Sequence, residues 1–332
     1  MIKKIVSVLL VLALVGLAVF KIFFDSSSFR GELKKVKDEL SSYYMEANME
    51  LINGEDIRQF FVEVGYRRED NKDLFRVSLL DKGLNQEQIL IRNLDGVYVL
   101  TPALNQVYEF ESEWPLNNPK PYIYQSLLSV FDGDYEKKDT KDGYLITSKP
   151  KFMDNEKMDK QEIHFSKELK PISVFIYDNT NTVLVKVNFT KVDLNASFSE
   201  NYFDVNENIK EARESSSSVS NEIELPLYPV NSTLDYSLKE HSTYKIGDTE
   251  VHIMTFEGNK PFTVIQKILE DSEEVVTLNL DGQIVDLING FGIYHDGILT
   301  YSYAGVEYNI YSDVLTLSEM IDVANAMDIA GK

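Results

Sequence analysis

The chain has 332 residues, no cysteine and a net charge of −21 at neutral pH. The absence of cysteine excludes disulfides, thiolate metal sites and a lipid anchor built on a Cys thioether. The acidic balance argues against nucleic acid as a partner, because no surplus of Lys or Arg exists to displace counterions from a phosphate backbone. The length allows two domains, and the apolar fraction of 43% is that of an ordinary globular protein.

Residues 1–24 have the pattern of a membrane anchor or an uncleaved signal. Lys3 and Lys4 precede an apolar run at 5–20, which would span ~24 Å as a helix at ~1.5 Å per residue. No small-residue cleavage site follows the run, so we expect a single-pass anchor with the acidic body outside the cytoplasmic membrane. The residues expected to contact lipid are Ile5, Leu10, Leu14, Phe20 and Phe24.

After this segment the pattern predicts one amphipathic helix at 29–42 and then mostly strands. Six strands with alternating apolar residues are predicted at 43–51, 58–67, 74–80, 87–92, 96–102 and 105–110. Asn53-Gly54 and Asp95-Gly96 are hairpin signals, because glycine adopts the positive φ that primed turns need. A helix is expected at 121–131, and four more strands at 143–148, 160–166, 171–178 and 182–189.

The second half of the chain predicts a smaller α+β unit. Residues 207–224 lack hydrophobic periodicity and include four consecutive serines, so they predict a linker between domains at 25–206 and 225–332. In the second domain we expect a strand at 251–256, a helix at 261–269 and a hairpin at 300–312. A last helix should begin at Thr316-x-x-Glu319, which is a capping box.

The sequence offers no catalytic or metal-binding pattern. Its four histidines lack metal-binding helical spacing, and no nucleophile elbow, phosphate-binding loop or dinucleotide fingerprint occurs. Glu162 and His164 fall on one face of a predicted strand, which is typical of an ordinary surface pair. We therefore expect a protein that is not an enzyme and that uses no cofactor and no metal.

Two segments, LINGEDIRQF (51–60) and LNQEQILIRNLDGVYVLTPALNQVYEFESEWPLNNPKPYIYQSLLSVF (84–131), carry a family resemblance. The chain resembles the germination lipoprotein and two-domain sporulation proteins of endospore-forming bacteria, within the superfamily of the outer-membrane lipoprotein carriers. This resemblance covers residues 28–207. A second similarity, to the C-terminal domain of the two-domain members, rests on LPLYP (225–229), KPFTVIQK (260–267) and EYNIYSDVLTLSEMIDVANAM (307–327).

The resemblance implies an incomplete barrel of about eleven antiparallel strands wrapped on helices. It also implies work outside the membrane of a developing or germinating spore, where a protein of this group binds and activates or positions a sporulation N-acetylmuramoyl-L-alanine amidase at the cortex peptidoglycan. One departure is that the lipidated Cys of the family is absent, since Leu17 stands in its place. The N-terminal helix must therefore provide the anchorage.

Trp114 is the only tryptophan, and Pro115 after it keeps the segment out of a central strand. One interpretation is that its ring fills an open end of the curved sheet, against Pro115 and the helix at 121–131. The other is a semi-rigid rim that binds a protein partner. The residues of that rim are Trp114, Pro115, Asn117, Tyr122 and Tyr124.

Two functions from different classes follow. The first is a non-enzymatic accessory protein that binds the amidase. The second is a carrier or sensor of acyl chains, which would need a continuous apolar cavity of several hundred Å³ on the concave face of the half barrel. The sequence leaves open whether lipid binds and whether two copies form a homodimer.

Overall fold

The computed structural model describes residues 29–54, 56–110, 114, 120–150, 158–215, 223–230, 234–269, 275–279, 282–287 and 290–327. The strands are β1 (Ser42–Asn53), β2 (Asp56–Glu69), β3 (Lys72–Asp81), β4 (Gln86–Arg92), β5 (Val97–Thr101), β6 (Gln106–Phe110), β7 (Tyr135–Asp139), β8 (Gly143–Ser148), β9 (Lys160–Ser166), β10 (Pro171–Tyr177), β11 (Val183–Asp193), β12 (Tyr236–Ile246), β13 (Thr249–Gly258), β14 (Phe262–Ile268), β15 (Val276–Asn279), β16 (Gln283–Leu287), β17 (Gly290–His295), β18 (Ile298–Tyr303) and β19 (Val306–Tyr311). The α-helices are α1 (29–39), α2 (Tyr124–Leu128), α3 (Val205–Ser215) and α4 (Leu317–Asn325), with short 3₁₀ turns at Pro102–Leu104 and Ser129–Asp132.

The strands form two open sheets. The large sheet has twelve strands in the order β15-β6-β5-β4-β3-β2-β1-β11-β10-β9-β8-β7. Within it, β1 to β11 are joined by antiparallel pairs only, as predicted. The small sheet has the order β12-β13-β14-β19-β18-β17-β16. Because the end strands of the large sheet, β15 and β7, do not pair with each other in the part of the chain that the structure describes, the half barrel predicted from the resemblance is confirmed as an open sheet.

The concave face of the large sheet is packed with apolar side chains. Alternate residues of its strands, such as Tyr43 and Met45 in β1, are buried there against α1 and α2. Ile284 and Phe291 of the small sheet belong to the same core cluster. Burying one such side chain contributes ~1.5–3 kcal/mol, so this face holds the large sheet, two helices and part of the small sheet together.

Two further helices cover the remaining apolar faces. On the convex face, Ile209 and Ala212 of α3 pack on Ile89 of β4 and Leu100 of β5. In the small sheet, α4 buries Met320, Val323 and Ala324 against β16 and β18. The predicted capping box of α4 is confirmed, since the Thr316 side chain accepts from the Glu319 N–H while the Glu319 carboxylate accepts from the Thr316 N–H.

Three predictions about local structure need correction. The helix expected at 261–269 is wrong, because Phe262, Val264 and Gln266 are buried in alternation as β14 pairs with β13 and β19. The linker expected at 207–224 is wrong over its first part, which is helical in α3, while 216–222 lie outside the described residues. The helix expected at 121–131 is shorter, with α2 followed by a 3₁₀ turn. The division into domains stays a prediction.

Candidate functional site

Trp114 is buried, with 1% of its surface exposed. Its ring makes edge-to-face contacts with Phe75 of β3, at 6.5 Å between centroids, and with Phe291 of β17, at 6.4 Å. The described conformation therefore does not expose this ring on a rim, and the partner-binding role predicted for Trp114 stays a prediction. The interpretation that the ring fills the core is confirmed for its burial, and the structure adds that one of its partners comes from the small sheet.

Tyr122 and Tyr124 are buried as well, at 4% and 0% exposure. The Tyr124 hydroxyl donates to the Leu169 carbonyl at 2.9 Å, and the Tyr124 N–H donates to the Tyr43 hydroxyl at 3.3 Å. Burial raises the pKa of both Tyr122 and Tyr124 above the ordinary value, so both rings stay neutral. Exposure of these two rings was also wrongly expected, because they hold α2 inside the large sheet.

The other predicted site residues lie outside the described part of the chain. These are Pro115, Asn117 and the expected lipid contacts Ile5, Leu10, Leu14, Phe20 and Phe24. Their roles stay predictions. Within the part of the chain that the structure describes, none of the helices combines the length and the apolar character needed to span a bilayer.

The two sheets meet at a set of contacts that we call the seam, formed by Asp81, Gln88 and Trp114 of the first half and Phe291 and Tyr303 of the second. At one end of the seam, Asp81 is nearly buried. One of its carboxylate oxygens accepts from the N–H groups of Gly83 at 2.7 Å and Leu84 at 3.1 Å, and the other from the Tyr303 hydroxyl at 3.0 Å.

Tyr303 is held on a second side by Arg58, whose guanidinium carbon lies 5.2 Å from the centre of its ring. Burial raises the pKa of Tyr303 well above its ordinary value, so the hydroxyl keeps the proton that it donates to Asp81. The carboxylate, the phenol and the guanidinium thus form a charge-assisted link between the ends of β2, β3 and β18.

In the middle of the seam, a side chain of the large sheet bonds to the backbone of the small sheet. The Gln88 side-chain oxygen accepts from the Phe291 N–H at 3.0 Å. Gly290 allows this approach, because a Cβ at that position would lie 1.8 Å from the same oxygen and its φ is +126°. Only glycine fits here without a shift of Gln88 or of the backbone.

A third link is β15, which leaves the small sheet and pairs in parallel with β6 of the large sheet. The Val276 N–H also donates to the Asn105 carbonyl at 3.0 Å. As the terminal strand in the sheet order, β15 has no strand on its outer edge among the residues described, and it exposes Val275, Val276 and Leu278 by about 40% each. Such an edge can accept a strand from another molecule.

A cleft of about 30 Å³ opens beside the seam, lined in part by Asp81, Thr101, Leu104 and Tyr303. That volume holds one or two water molecules, whereas an acyl-chain site needs several hundred Å³. The concave face on which a lipid carrier would depend is instead occupied by the core cluster.

The predicted pair of Glu162 and His164 is not formed. The two residues share the convex face of β9, but the Glu162 carboxylate accepts from the Tyr177 hydroxyl at 2.9 Å and lies 3.3 Å from the Lys160 ammonium. Among the residues described, no group of three or more His, Asp or Glu side chains is placed to hold a metal ion.

Sequence reasoning missed a different histidine pair. His241 of β12 and His252 of β13 approach to 3.2 Å between their ring nitrogens, and Glu250 lies 3.0 Å from the other nitrogen of His252. Only the register of the β12–β13 hairpin, in which Thr243 lies opposite His252, brings the two rings together.

The fold and the seam define a mainly β protein in which two open sheets are joined by buried contacts. No protein-family model matches the chain. The chain is 30% identical over 296 residues to the sporulation protein YdcC of Bacillus subtilis (strain 168), covering 87% of this chain and 86% of that protein. At that identity and coverage the chain belongs to the family of the sporulation protein YdcC. The resemblance to sporulation proteins seen in the sequence is thereby confirmed.

Solved structures show weaker similarity. MucB in complex with MucA(peri) is 12% identical, with 92% of this chain and 99% of that chain covered and a TM-score of 0.31. The MucA/MucB complex of Pseudomonas aeruginosa is 13% identical, with 93% of this chain and 100% of that chain covered and a TM-score of 0.34. A putative outer membrane lipoprotein-sorting protein domain from Vibrio parahaemolyticus is 14% identical, with 55% of this chain and 97% of that chain covered and a TM-score of 0.30. At these TM-scores the similarity supports no functional argument.

Proposed function

We propose that the protein is a non-enzymatic accessory protein of sporulation or germination. It stands on the extracytoplasmic side of the cytoplasmic membrane, which is the spore membrane in a sporulating cell, and its N-terminal segment holds it there. Membership in the family of a sporulation protein supports the process. The lysines before the apolar run at 5–20 and the acidic body after it support the location.

The protein acts by binding and positioning or activating a cell-wall hydrolase, and the candidate is a sporulation N-acetylmuramoyl-L-alanine amidase. The observation that carries this proposal is the filled concave face: the interior of the large sheet is packed core, so the surface is what remains for interaction. The exposed edge of β15 is the docking surface, in place of the buried rings of Trp114, Tyr122 and Tyr124.

The structure does not favour the acyl-chain alternative. The ~30 Å³ cleft at the seam is about a tenth or less of the volume of an ordinary small-molecule site, and its lining mixes apolar residues such as Phe60 and Leu104 with the polar Asp81. An acyl chain would have to displace Phe291 and α2 from the core cluster. That displacement costs several kcal/mol for each large side chain.

The test is a binding measurement between the full-length chain in detergent and the purified amidase. Replacing Val276 and Leu278 by Asp puts two charges on the β15 edge, and we expect affinity to fall by about tenfold or more. The matched control replaces Tyr244 and Ile246 by Asp, which are exposed apolar residues of β12 at 57% and 70%. We expect it to bind like the wild type.

Three outcomes would contradict the proposal. They are no binding of the amidase by the wild type, equal weakening by both double variants, or acyl lipid recovered in stoichiometric amount by mass spectrometry of the purified chain. The last would restore the carrier function. A thermal melt of each variant by circular dichroism shows whether lost binding merely reflects lost folding.

A further inference from the structure

A row of four polar side chains and one aromatic side chain crosses the convex face of the large sheet. It consists of His164 in β9, Ser173 in β10, Asn188 in β11, Asn48 in β1 and Phe61 in β2, each directly opposite the next in the strand register. We call it the polar row. Five strands at ~4.8 Å spacing give it a length of ~19 Å. We propose that the polar row binds a neutral glycan, a chain of hydroxyl- and amide-bearing sugars that lies across the strands.

Several side chains of the polar row have unused hydrogen-bonding capacity. The side chains of His164, Ser173 and Asn188 make no hydrogen bond to any residue that the structure describes, although Ser173 is only 6% exposed. Asn48 accepts from the Lys82 ammonium at 2.5 Å through its oxygen, which leaves its NH₂ group as a donor. Half-buried amide and imidazole groups in line with the more buried Ser173 hydroxyl match the alternating donors and acceptors of sugar hydroxyl and N-acetyl groups.

Apolar side chains lie at one end of the row and near its other end. Phe61 lies at one end with its ring on the convex face. Near the other end, in the strand next to that of His164, an irregularity in β10 between Pro171 and Ser173 leaves Ile172 43% exposed. Bulges of this kind re-aim side chains beside binding sites. Sugar rings present C–H groups, and these are attracted to the negative face of an aromatic ring.

The charges beside the polar row are largely paired. Three of the carboxylates that border the row are each paired with a lysine, Glu46–Lys191 at 3.2 Å, Glu50–Lys186 at 3.2 Å and Glu162–Lys160 at 3.3 Å, and a fourth, Glu63, lies 3.9 Å from the Arg76 guanidinium. This local balance contrasts with the net charge of −21 of the whole chain. A face with paired charges and free polar groups suits a neutral ligand, whereas the acidic remainder of the molecule repels polyanions.

The α3 helix limits where the ligand lies. It covers the convex face over β4 and β5, where Ile209 packs on Ile89 and Leu100. Tyr202, which precedes α3, closes over Gly65 of β2, since a Cβ on that glycine would lie 2.4 Å from the Tyr202 ring. The open part of the face therefore begins at β2 and extends toward β9, which is the extent of the polar row.

The experiment titrates the full-length chain in detergent with chitotetraose, the tetramer of N-acetylglucosamine, and with maltotetraose, using calorimetry. We expect the wild type to bind one or both. Replacing Asn48 and Asn188 by Ala should lower the association constant by about tenfold or more. The matched control replaces Asn179 and Asn195 by Ala, two exposed asparagines outside the row, and should bind like the wild type.

The source of the glycan is distinguished by the probes. Binding of chitotetraose and of purified peptidoglycan, but not of maltotetraose, assigns the row to N-acetylated wall glycan. Binding of maltotetraose alone assigns it to a soluble glucan, and the proposal stands in both cases. It is overturned if neither tetramer binds, if the Asn48/Asn188 variant binds like the wild type, or if polygalacturonate, a polyanion, binds more tightly than either. His164→Ala, at the end of the row, should weaken binding without altering the melting curve.

Discussion

The contact between Trp114 and Phe291 should couple the folding of the two sheets. Truncating a fully buried Trp or Phe to Ala costs ~3–5 kcal/mol, which is a large part of the ~5–15 kcal/mol that holds a domain folded. Both rings are buried, at 1% and 5% exposure, so we expect costs in this range for Trp114→Ala and for Phe291→Ala. Because the rings meet edge to face, the double variant should lose ~0.5–1.5 kcal/mol less than the sum of the single losses.

The measurement is urea unfolding of the full-length chain, followed by far-ultraviolet circular dichroism, for the wild type, both single variants and the double variant. Tyr244→Ala, at a position 57% exposed, is the control and should change the free energy of unfolding by less than ~0.5 kcal/mol. Trp114 is also the only tryptophan, so its emission reports on the seam, and Phe291→Ala should shift that emission to longer wavelength. A coupling of zero, or no spectral shift, would refute the idea that this contact joins the sheets.

Three smaller effects follow from other contacts. Gly290→Ala should lower the free energy of unfolding by ~1–3 kcal/mol in the same unfolding experiment, since its φ is +126° and a Cβ would meet Gln88, whereas Gly31→Ala, in open space on α1, should be neutral or stabilising. Tyr303→Phe leaves Asp81 without one hydrogen-bond donor and should lower the free energy of unfolding by ~1–2 kcal/mol. Hydrogen exchange should then show that the two sheets open less cooperatively than in the wild type. The hydrogen bond that Lys260 donates to Glu319 lowers the pKa of this carboxyl below the ordinary 4.5. The carboxylate therefore stabilises α4 at neutral pH, and this stabilisation is lost as the pH falls through the lowered pKa. Glu319→Gln should lower the melting temperature at pH 7 and leave it unchanged at pH 2, as measured by thermal melts at both pH values.

Local patterns in the sequence were enough for most of the large sheet. Alternation in β1 to β6 and the Asn53-Gly54 signal predicted the meander, because each strand buries one face and each tight turn needs a residue that tolerates positive φ. The capping box predicted the start of α4 for the same reason: its hydrogen bonds lie within four residues. These features depend on near neighbours in the chain.

The errors arise where distant residues decide the outcome. Segment 262–268 has the opening proline and the apolar content of a helix, but β13 and β19 on either side supply the hydrogen bonds that make it a strand. Helix α3 was missed because its apolar face is narrow, with Ile209 and Ala212 buried between many polar residues. The seam was missed entirely, since Gln88 and Phe291 are separated by 203 positions.

The choice that the sequence left open for Trp114 has the same origin, and its outcome changes how the protein is expected to bind partners. A tryptophan followed by proline beside the end of a strand predicts either a plug or a rim, and only the arrival of Phe291 from the small sheet decides between them. With Phe291 in place the ring is committed to the core. Partner contacts must then use surfaces that folding leaves open, and the β15 edge is such a surface because the crossing of one strand between the sheets creates it. The link that closes the seam therefore also supplies the exposed edge that we propose as the docking site.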